Sequence, residues 1–435
     1  MSQAVLCGLI MLVLVVLLLL IGAPVCISIG LASAAAMLMF TAPERALLVS
    51  AQKIFYGTNS FSLLAISFFI LAGILMNNGG IARKLVNCAS LIAGRLPGSL
   101  AQTNIVANML FGCVSGSGSA AAAAIGGIMG PLEEEEGYDI SYYAAVNIAS
   151  APTGMLIPPS NTLIVYATVA GTVSISALFM AGYIPGILWG LGNMIVAGVM
   201  AKKLGYVSKR KIGVKEGVQV LLDAIPCLMM IVVVIGGIMW GIFTATEGSA
   251  IAVVYSLVLG MIYKNIKLSD LPKYLLEAAN MTSIIILMIG ISSIMSYVMA
   301  YTGIPELIAN GLMGITDNPI VILMIMNVFL LILGTFMDPT PAILIFTPIF
   351  LPICQSFGMS AIHFGVMITF NLCIGAITPP VGTVMFTGCR VANTTIEVVF
   401  KRLLPFFGVT ALVLLIVTYI EPATMLIPRL LGLVS

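Results

Sequence analysis

Apolar residues run in blocks along this chain, most of them close to the roughly 20 residues a helix needs to cross a bilayer core. Such blocks lie near 4–22, 24–41, 60–77, 140–171, 175–203, 218–243, 247–263, 281–300, 360–390 and 403–420. Two more apolar stretches, about 98–131 and 319–352, are interrupted near their middles, one by SGSGS at 115–119 and the other by GTFMDPTP at 334–341. Backbone that leaves the helix at membrane depth is tolerated only where it is buried in protein or lines a cavity. Each stretch is therefore expected to be a re-entrant hairpin with its tip near the midplane. Shorter amphipathic patterns at 43–56, 79–94, 268–279 and 304–314 read as interface helices. In the second of these, Ile81, Leu85, Cys88 and Ile92 share one face, with Arg83 and Lys84 at its start. The opening MSQAVLCGLIMLVLVVLLLLIGAP is too long for a signal-peptide core and lacks a basic leading region, so it reads as a retained first span.

Composition agrees with the pattern. Hydrophobic residues make up 60% of the chain and charged residues 8%, whereas soluble domains carry about 25% charged residues. The apolar surface must face lipid. A net charge of +2 gives no basic surface for nucleic acid. Placing the loop KKLGYVSKRKIGVK after residue 201 on the cytoplasmic side puts every Lys and Arg inside except Arg45, Lys53 and Arg429, as the positive-inside bias requires. Both termini then lie outside. The first hairpin opens from the cytoplasm and the second from the opposite side. Glu133 to Glu136 are expected as a solvated hairpin end.

The chain also repeats itself. Residues 128–162 align without gaps to 349–383, pairing Pro131 with Pro352, Gly137 with Gly358, Gly154 with Gly375, Pro158 with Pro379, Pro159 with Pro380 and Thr162 with Thr383. Prolines and glycines fix unusual backbone, so their coincidence is more than shared apolarity. The same offset sets Ser117 against Asp338 and Ser119 against Thr340 at the two interruptions. The charge topology makes the copies inverted, 1–210 and 211–435. Inverted repeats with paired interrupted helices point to the midplane site of a secondary transporter. The fold expected is an all-α polytopic membrane protein with two re-entrant hairpins and two broken helices.

The broken helices read SAPTGMLIPPSNT at 150–162 and NLCIGAITPPVGT at 371–383. Each Pro-Pro pair removes two amide donors and disfavours helix before it. Carbonyls upstream then need a cation or a donor, and the neighbouring hydroxyls add neutral oxygens, a set that suits Na⁺. A proton relay needs titratable groups at depth. Only Asp338 qualifies, which favours Na⁺ over H⁺. Asp338 is also placed to cap a helix starting at Pro339. His363, the single histidine, reads as structural and near a helix start at the external surface. Trp189 and Trp240 read as packing or interface residues, and the eight cysteines, none in a CxxC pair, as small hydrophobes. Paired carboxylates, metal-spaced histidines and a nucleophile with a base are all missing from the sequence, so no enzyme is expected.

The runs GCVSGSGSAAAAAIGGIMGPLEEEEGYD and NIASAPTGMLIPPSNTLIVYATVAG resemble the large membrane subunit of TRAP (tripartite ATP-independent periplasmic) transporters. So do LAGILMNNGGIARKLV, FTATEGSAIAVVY, GTFMDPTPAILIFTPIFLP and ITPPVGTVMF, and the likeness covers essentially the whole chain. It implies a permease of the bacterial inner membrane that works with a small membrane subunit, expected as a separate chain, and a periplasmic substrate-binding protein. It also implies Na⁺-driven uptake by an elevator motion, with an organic acid as substrate. The runs SGSGSAAAAA and APTGMLIPPSN look closest to the sialic-acid branch, with C4-dicarboxylates next, although SGSGSAAAAA departs from the commoner SGSGPAT pattern. Carried onto this chain, one Na⁺ site would use Ser115, Gly116, Ser117 and Ser119 with Ser150, Thr153, Gly154 and Pro158. The other would use Gly334, Asp338 and Thr340 with Gly375, Thr378 and Pro379. Substrate would lie between the tips, against Ser160, Asn161, Thr162 and Thr383. A stand-alone Na⁺-coupled anion transporter of the same core is the alternative.

Overall fold

A computed structural model describes residues 3–206, 214–314, 316 and 318–434. Lys209, Arg210 and Lys211 of the basic loop lie outside the described residues. The described residues are helical throughout, with no strand. Among the described residues six helices are long and apolar enough to cross a membrane, or seven if a bent pair is one span.

The chain opens with α1 (Gln3–Leu20), α2 (Val25–Met37) and α3 (Pro43–Thr58). A 59° bend then leads into α4 (Ser62–Asn78), and α5 (Ile81–Ala93) follows. Next come α6 (Ser99–Ser115) and α7 (Gly118–Glu135), a helical pair that turns back at Gly116. Gly116 has φ +62°, a left-handed conformation that an L side chain rarely adopts. Beyond them, α8 (Ile140–Ser150) tightens into a 3₁₀ turn (Ala151–Met155) and stops, and α9 (Asn161–Ala170) resumes after the Pro158-Pro159 pair. Asp139 and Ser160 begin these helices as N-caps, accepting from Ser141 N–H and Leu163 N–H. The long α10 (Ile175–Leu204) follows.

The remainder holds α11 (Val214–Met239), α12 (Ala245–Ile262), α13 (Leu271–Thr302) and α14 (Ile304–Met313), then a second interrupted pair, α15 (Pro319–Gly334) and α16 (Pro339–Ser356). A second broken helix consists of α17 (Ala361–Gly375) and α18 (Thr383–Val391), with Pro379-Pro380 between them. The chain closes with α19 (Ile396–Tyr419) and α20 (Pro422–Leu430). Both Pro-Pro bonds are cis.

The structure departs from the pattern-based expectation at 268–279 and in the glutamate run, and adds a helix that the pattern did not show. Residues 268–279 are not a separate interface helix. A short 3₁₀ turn at Leu268–Asp270 leads into α13, whose proline sits at its start and whose interior holds nothing that stops a helix. The terminal α20 had no expectation, because its nine residues with two prolines show no span-length pattern. The glutamate run is not uniformly solvated: Glu134, Glu135 and Glu136 are exposed, but Glu133 is fully buried.

The middle of the molecule is built from crossed partners. The piece after the first break, α9, packs on α16 and α17. The piece after the second break, α18, packs on α7 and α8. The long helices cross in the same sense, α10 against α17 and α19 against α8. Trp189 of α10, fully buried, meets Phe370 of α17 with ring centroids 4.7 Å apart. His363, near the start of α17 as expected, is buried, its Nε2 2.7 Å from the Val417 carbonyl of α19. Trp240 is exposed, and every cysteine is a free thiol, all but Cys26 buried.

Candidate functional site

The first interruption is a tight polar tip. Ser117 begins α7 by accepting from Ala120 N–H at 3.3 Å, and Ser115 Oγ lies 3.4 Å from the Ser117 carbonyl it donates to. Ser119 sits half-buried in the first turn of α7. The tip is pressed onto the broken helix by glycines. A Cβ built on Gly154 would stand 2.4 Å from Gly112 Cα and carbonyl carbon and 2.5 Å from Cys113 N, so only hydrogen fits there. Gly116 lies against the Asn161 amide, and Gly118 against Pro152 and Met155. On the broken-helix side, Ser150 and Thr153 are fully buried. Thr153 Oγ1 donates to the Ser150 carbonyl at 2.5 Å, and Ser150 Oγ donates to Val146 O at 2.7 Å. Pro158 is buried just beyond. Residues 115–119 and 150–158 therefore meet along one seam.

The second interruption repeats this with different chemistry. A Cβ on Gly375 would stand 2.4 Å from the Gly334 carbonyl carbon and 2.5 Å from its Cα. Asp338 stands at the N-cap position of α16, as expected, without a side-chain capping hydrogen bond of good geometry. Its Oδ1 instead accepts from Thr383 Oγ1 at 3.1 Å, at the first residue of α18. Gly382 N–H donates to the Thr335 carbonyl at 3.0 Å. These two bonds tie the tip to the helix beyond the Pro-Pro break. Thr340 is half-buried in the first turn of α16. Thr378 Oγ1 donates to Ile374 O at 2.8 Å, and Pro379 is half-buried beside it.

The two halves touch near their centres. Cys373 Sγ is 3.9 Å from Met155 Sδ, and Gly118 lies beside Val384. Of the residues assigned to substrate, Ser160 and Thr162 are buried, and the Ser160 hydroxyl already donates to the Met155 carbonyl. Asn161 and Thr383 remain half-buried at the two tips. Arg390 is exposed on the last turn of α18.

The donor set fits a small hard cation. Among the described residues no group of three or more His, Cys, Asp or Glu comes together, so a cation at these seams would be held by hydroxyl and carbonyl oxygens with one carboxylate. The Asn161 Oδ1 at the first tip is buried with no hydrogen-bond donor, an acceptor of the kind a cation would satisfy.

Sequence reading missed the amides that hold each tip to its broken helix. Asn108 Nδ2 reaches Ser150 Oγ at 2.9 Å and Asn147 Oδ1 at 3.1 Å. Asn371 Nδ2 reaches Asn327 Oδ1 at 2.8 Å and the Asn327 carbonyl at 3.0 Å. All of these asparagines are buried. An asparagine in a long apolar run was the available signal, since an unpaired amide in hydrocarbon is costly. Gly112 was equally legible only as one glycine among many.

The chain matches the family model described as "Tripartite ATP-independent periplasmic transporter, DctM component" over residues 12–423. It is 49% identical to the "Uncharacterized protein YgiK" of Salmonella typhimurium over 94% of both chains. It is 38% identical to the isethionate TRAP transporter permease protein DctMQ of Oleidesulfovibrio alaskensis, over 94% of this chain and 64% of that one. It is 35% identical to the sialic acid TRAP transporter large permease protein SiaM of Vibrio cholerae, over 88% of this chain and 89% of that one. Among solved structures, the YdaH transporter of Alcanivorax borkumensis shares the fold, with a TM-score of 0.61 at 13% identity, over 88% of this chain and 91% of that one.

Proposed function

The chain belongs to the DctM family of tripartite ATP-independent periplasmic transporters, and from that premise we propose that it is the large permease subunit of a Na⁺-driven importer of an organic acid in the bacterial inner membrane. Residues 1–210 and 211–435 act as inverted repeats, and α6–α7 and α15–α16 as re-entrant hairpins whose tips bind one Na⁺ each. The observation that carries this reading is the crossed packing of α9 on α16 and α18 on α7, which sets each tip against the break of its own half and each resumed helix against the other half. A moving unit built this way keeps both sites rigid while it slides against α1–α5 and α11–α14, as an elevator requires. Ligation by neutral oxygens with a single carboxylate, Asp338, supports Na⁺ over H⁺.

A periplasmic binding protein delivers the substrate and a small membrane subunit completes the permease. The isethionate relative, of which this chain covers 64%, has length to spare for such a subunit in one chain. Relatives named for isethionate and for sialic acid are 38% and 35% identical. Those values do not separate the two, so the substrate stays at the level of an organic acid, with sialic acid first and C4-dicarboxylates next on the SGSGSAAAAA and APTGMLIPPSN runs.

The test is reconstitution of the permease in liposomes with an imposed Na⁺ gradient, with and without the small subunit and the binding protein. Uptake is expected only with all parts and inward Na⁺. Robust uptake by this chain alone would overturn the tripartite reading in favour of a self-sufficient anion transporter. Uptake indifferent to Na⁺ would overturn the coupling.

A further inference from the structure

Glu133, on the last full turn of α7, is fully buried. Its Oε2 accepts from Asn104 Nδ2 at 3.4 Å, a long bond, and its Oε1 has no protein partner. No Lys or Arg pairs with it, the Arg429–Glu421 pair being the one ion pair among the described residues. Beside it lies a cavity of about 10 Å³, lined by Asn104, Tyr143 and Asn147 among others. That is room for about one water molecule.

An ionised carboxylate cannot stand buried and unpaired at reasonable cost. It must be neutralised, by a metal cation in the cavity or by a proton. The amides that line the cavity are already committed. Asn147 Nδ2 donates to Ala122 O, and the Asn147 and Asn104 oxygens both accept from Asn108. One carboxylate is a thin shell for a metal ion, but it holds a proton unaided, and a cavity water can take the resulting O–H.

From Glu133 a polar chain runs inward. Asn104 donates to the carboxyl and accepts from Asn108 at 2.8 Å, and Asn108 donates to Ser150. The Asn108 amide has two hydrogens and three acceptors, Asn104 Oδ1, Asn147 Oδ1 and Ser150 Oγ, so occupancy at Ser150 decides where those hydrogens go. We propose that Glu133 is a buried proton site and that its proton is linked to cation binding at Ser150 through Asn104 and Asn108. The linkage rests on the cation reading given above, whereas the proton site does not. A cation that engages Ser150 Oγ turns the Asn108 hydrogens toward Asn104, which strengthens the Asn104 bond to Glu133 and favours the carboxylate. Na⁺ binding therefore releases the proton, and by reciprocity Na⁺ binds more tightly as pH rises.

The other titratable groups around Glu133 are few. Its own helix brings the exposed Glu134, Glu135 and Glu136. The following loop and α8 bring Tyr138, Asp139, Tyr142 and Tyr143. On α18 the exposed Arg390 and the buried Cys389, and on α5 Arg83, Lys84 and Cys88, make no bond to it; α6 brings the buried thiol Cys113 and otherwise neutral groups, and the 3₁₀ turn only neutral groups.

The full chain, purified with its partner subunit where that is needed, is titrated with Na⁺ between about pH 6 and about pH 8 while its thermal unfolding is followed. Wild type should bind Na⁺ more tightly as pH rises, by no more than about tenfold per pH unit for one linked proton. Glu133→Gln keeps the shape and should give a flat profile. The same pH dependence in Glu133→Gln as in wild type, or none in wild type, overturns the linkage. No Na⁺ stabilisation in either protein would instead overturn the cation reading. The wild-type-minus-Glu133→Gln infrared difference tests the proton site separately. It should show the carbonyl band of a protonated carboxylic acid, and carboxylate bands in its place would mean a bound cation and overturn the proton site.

Discussion

Replacing Gly154 with alanine tests the seam that joins the first tip to its broken helix. The new Cβ would lie 2.4 Å from two backbone atoms of Gly112 and 2.5 Å from the nitrogen of Cys113, where ordinary contact begins at 3.4 Å. Backbone cannot rotate away as a flexible side chain can, so the 3₁₀ turn and α6 must separate by about 1 Å. Overpacking of this kind costs about 2 kcal/mol. Spent on the seam, that is about 30-fold in an equilibrium constant. The displaced atoms carry Ser115 and Ser117 on one side and Ser150 and Thr153 on the other, so the loss should appear as weaker cation binding. Na⁺-dependent uptake into proteoliposomes is the assay, with the half-saturating Na⁺ concentration expected to rise about 30-fold. Gly127→Ala is the control, since a Cβ there meets nothing within 4 Å and alanine favours the helix by up to about 1 kcal/mol. A folded Gly154→Ala protein with the Na⁺ dependence of Gly127→Ala would refute the seam as the place where the cation is held.

Ser119→Ala or Asp338→Ala should lower Na⁺-dependent uptake while the protein still inserts, and an unchanged Na⁺ dependence in both would remove these residues from the sites. Thr383→Val deletes the 3.1 Å hydrogen bond to Asp338. Bonds to charged groups are worth about 1.5–3 kcal/mol, so Na⁺ affinity measured by the same assay should fall at least tenfold, and a change below twofold would exclude a role for that tie. Asp139→Ala removes the cap of α8 and should lower thermal stability by about 1 kcal/mol at neutral pH. Hydrogen bonds from the Ser141 hydroxyl and backbone hold the Asp139 carboxyl below its ordinary value. Its contribution is therefore complete above the unfolded carboxylate pKa of about 3.9 and is lost as pH falls through the lower folded value. The stability gap between wild type and Asp139→Ala should close only below about pH 4, and a gap that closes near neutral pH would contradict the cap.

Both interruptions were legible because proline and glycine act locally. SGSGS and the two Pro-Pro pairs disfavour helix, and each falls within a break: Gly116–Ser117 between α6 and α7, and the Pro-Pro pairs between Ser150 and Asn161 and between Gly375 and Thr383. What packs on what was not legible. Neither Gly112 nor Asn108 differs, in sequence, from other glycines and asparagines of the apolar runs, and each takes its meaning from a partner about 40 residues away. Glu133 was misread for the same reason. Four glutamates in a row have the look of a solvated end, yet α7 turns one of them inward against α6 and α8 while its three neighbours face out. The continuous α13 shows the converse, since a change from polar to apolar residues near 280 is not a helix end.

The two seams are alike in backbone and unequal in charge, and the inequality bears on where an anion can sit. At the second tip the free oxygen is a carboxylate, Asp338, held by Thr383 from the resumed helix. At the first tip the tip residue is Ser117, which spends its oxygen on capping α7, and the unpaired oxygen is the neutral Asn161 amide on the resumed helix. With one Na⁺ in each, the compensating carboxylate lies within the second site itself, whereas at the first it is Glu133, set back from the tip behind Asn104 and Asn108. An organic acid between the tips is then drawn toward the first site, where Na⁺ and the amide end of α9 both offer positive potential. Binding of the first cation and of the anion would be mutually favourable there, whereas the second cation would be compensated by Asp338 before any substrate arrived. On the proposed Na⁺ reading, coupling of substrate to Na⁺ would fall more heavily on the serine-built seam than on the one that carries the acid.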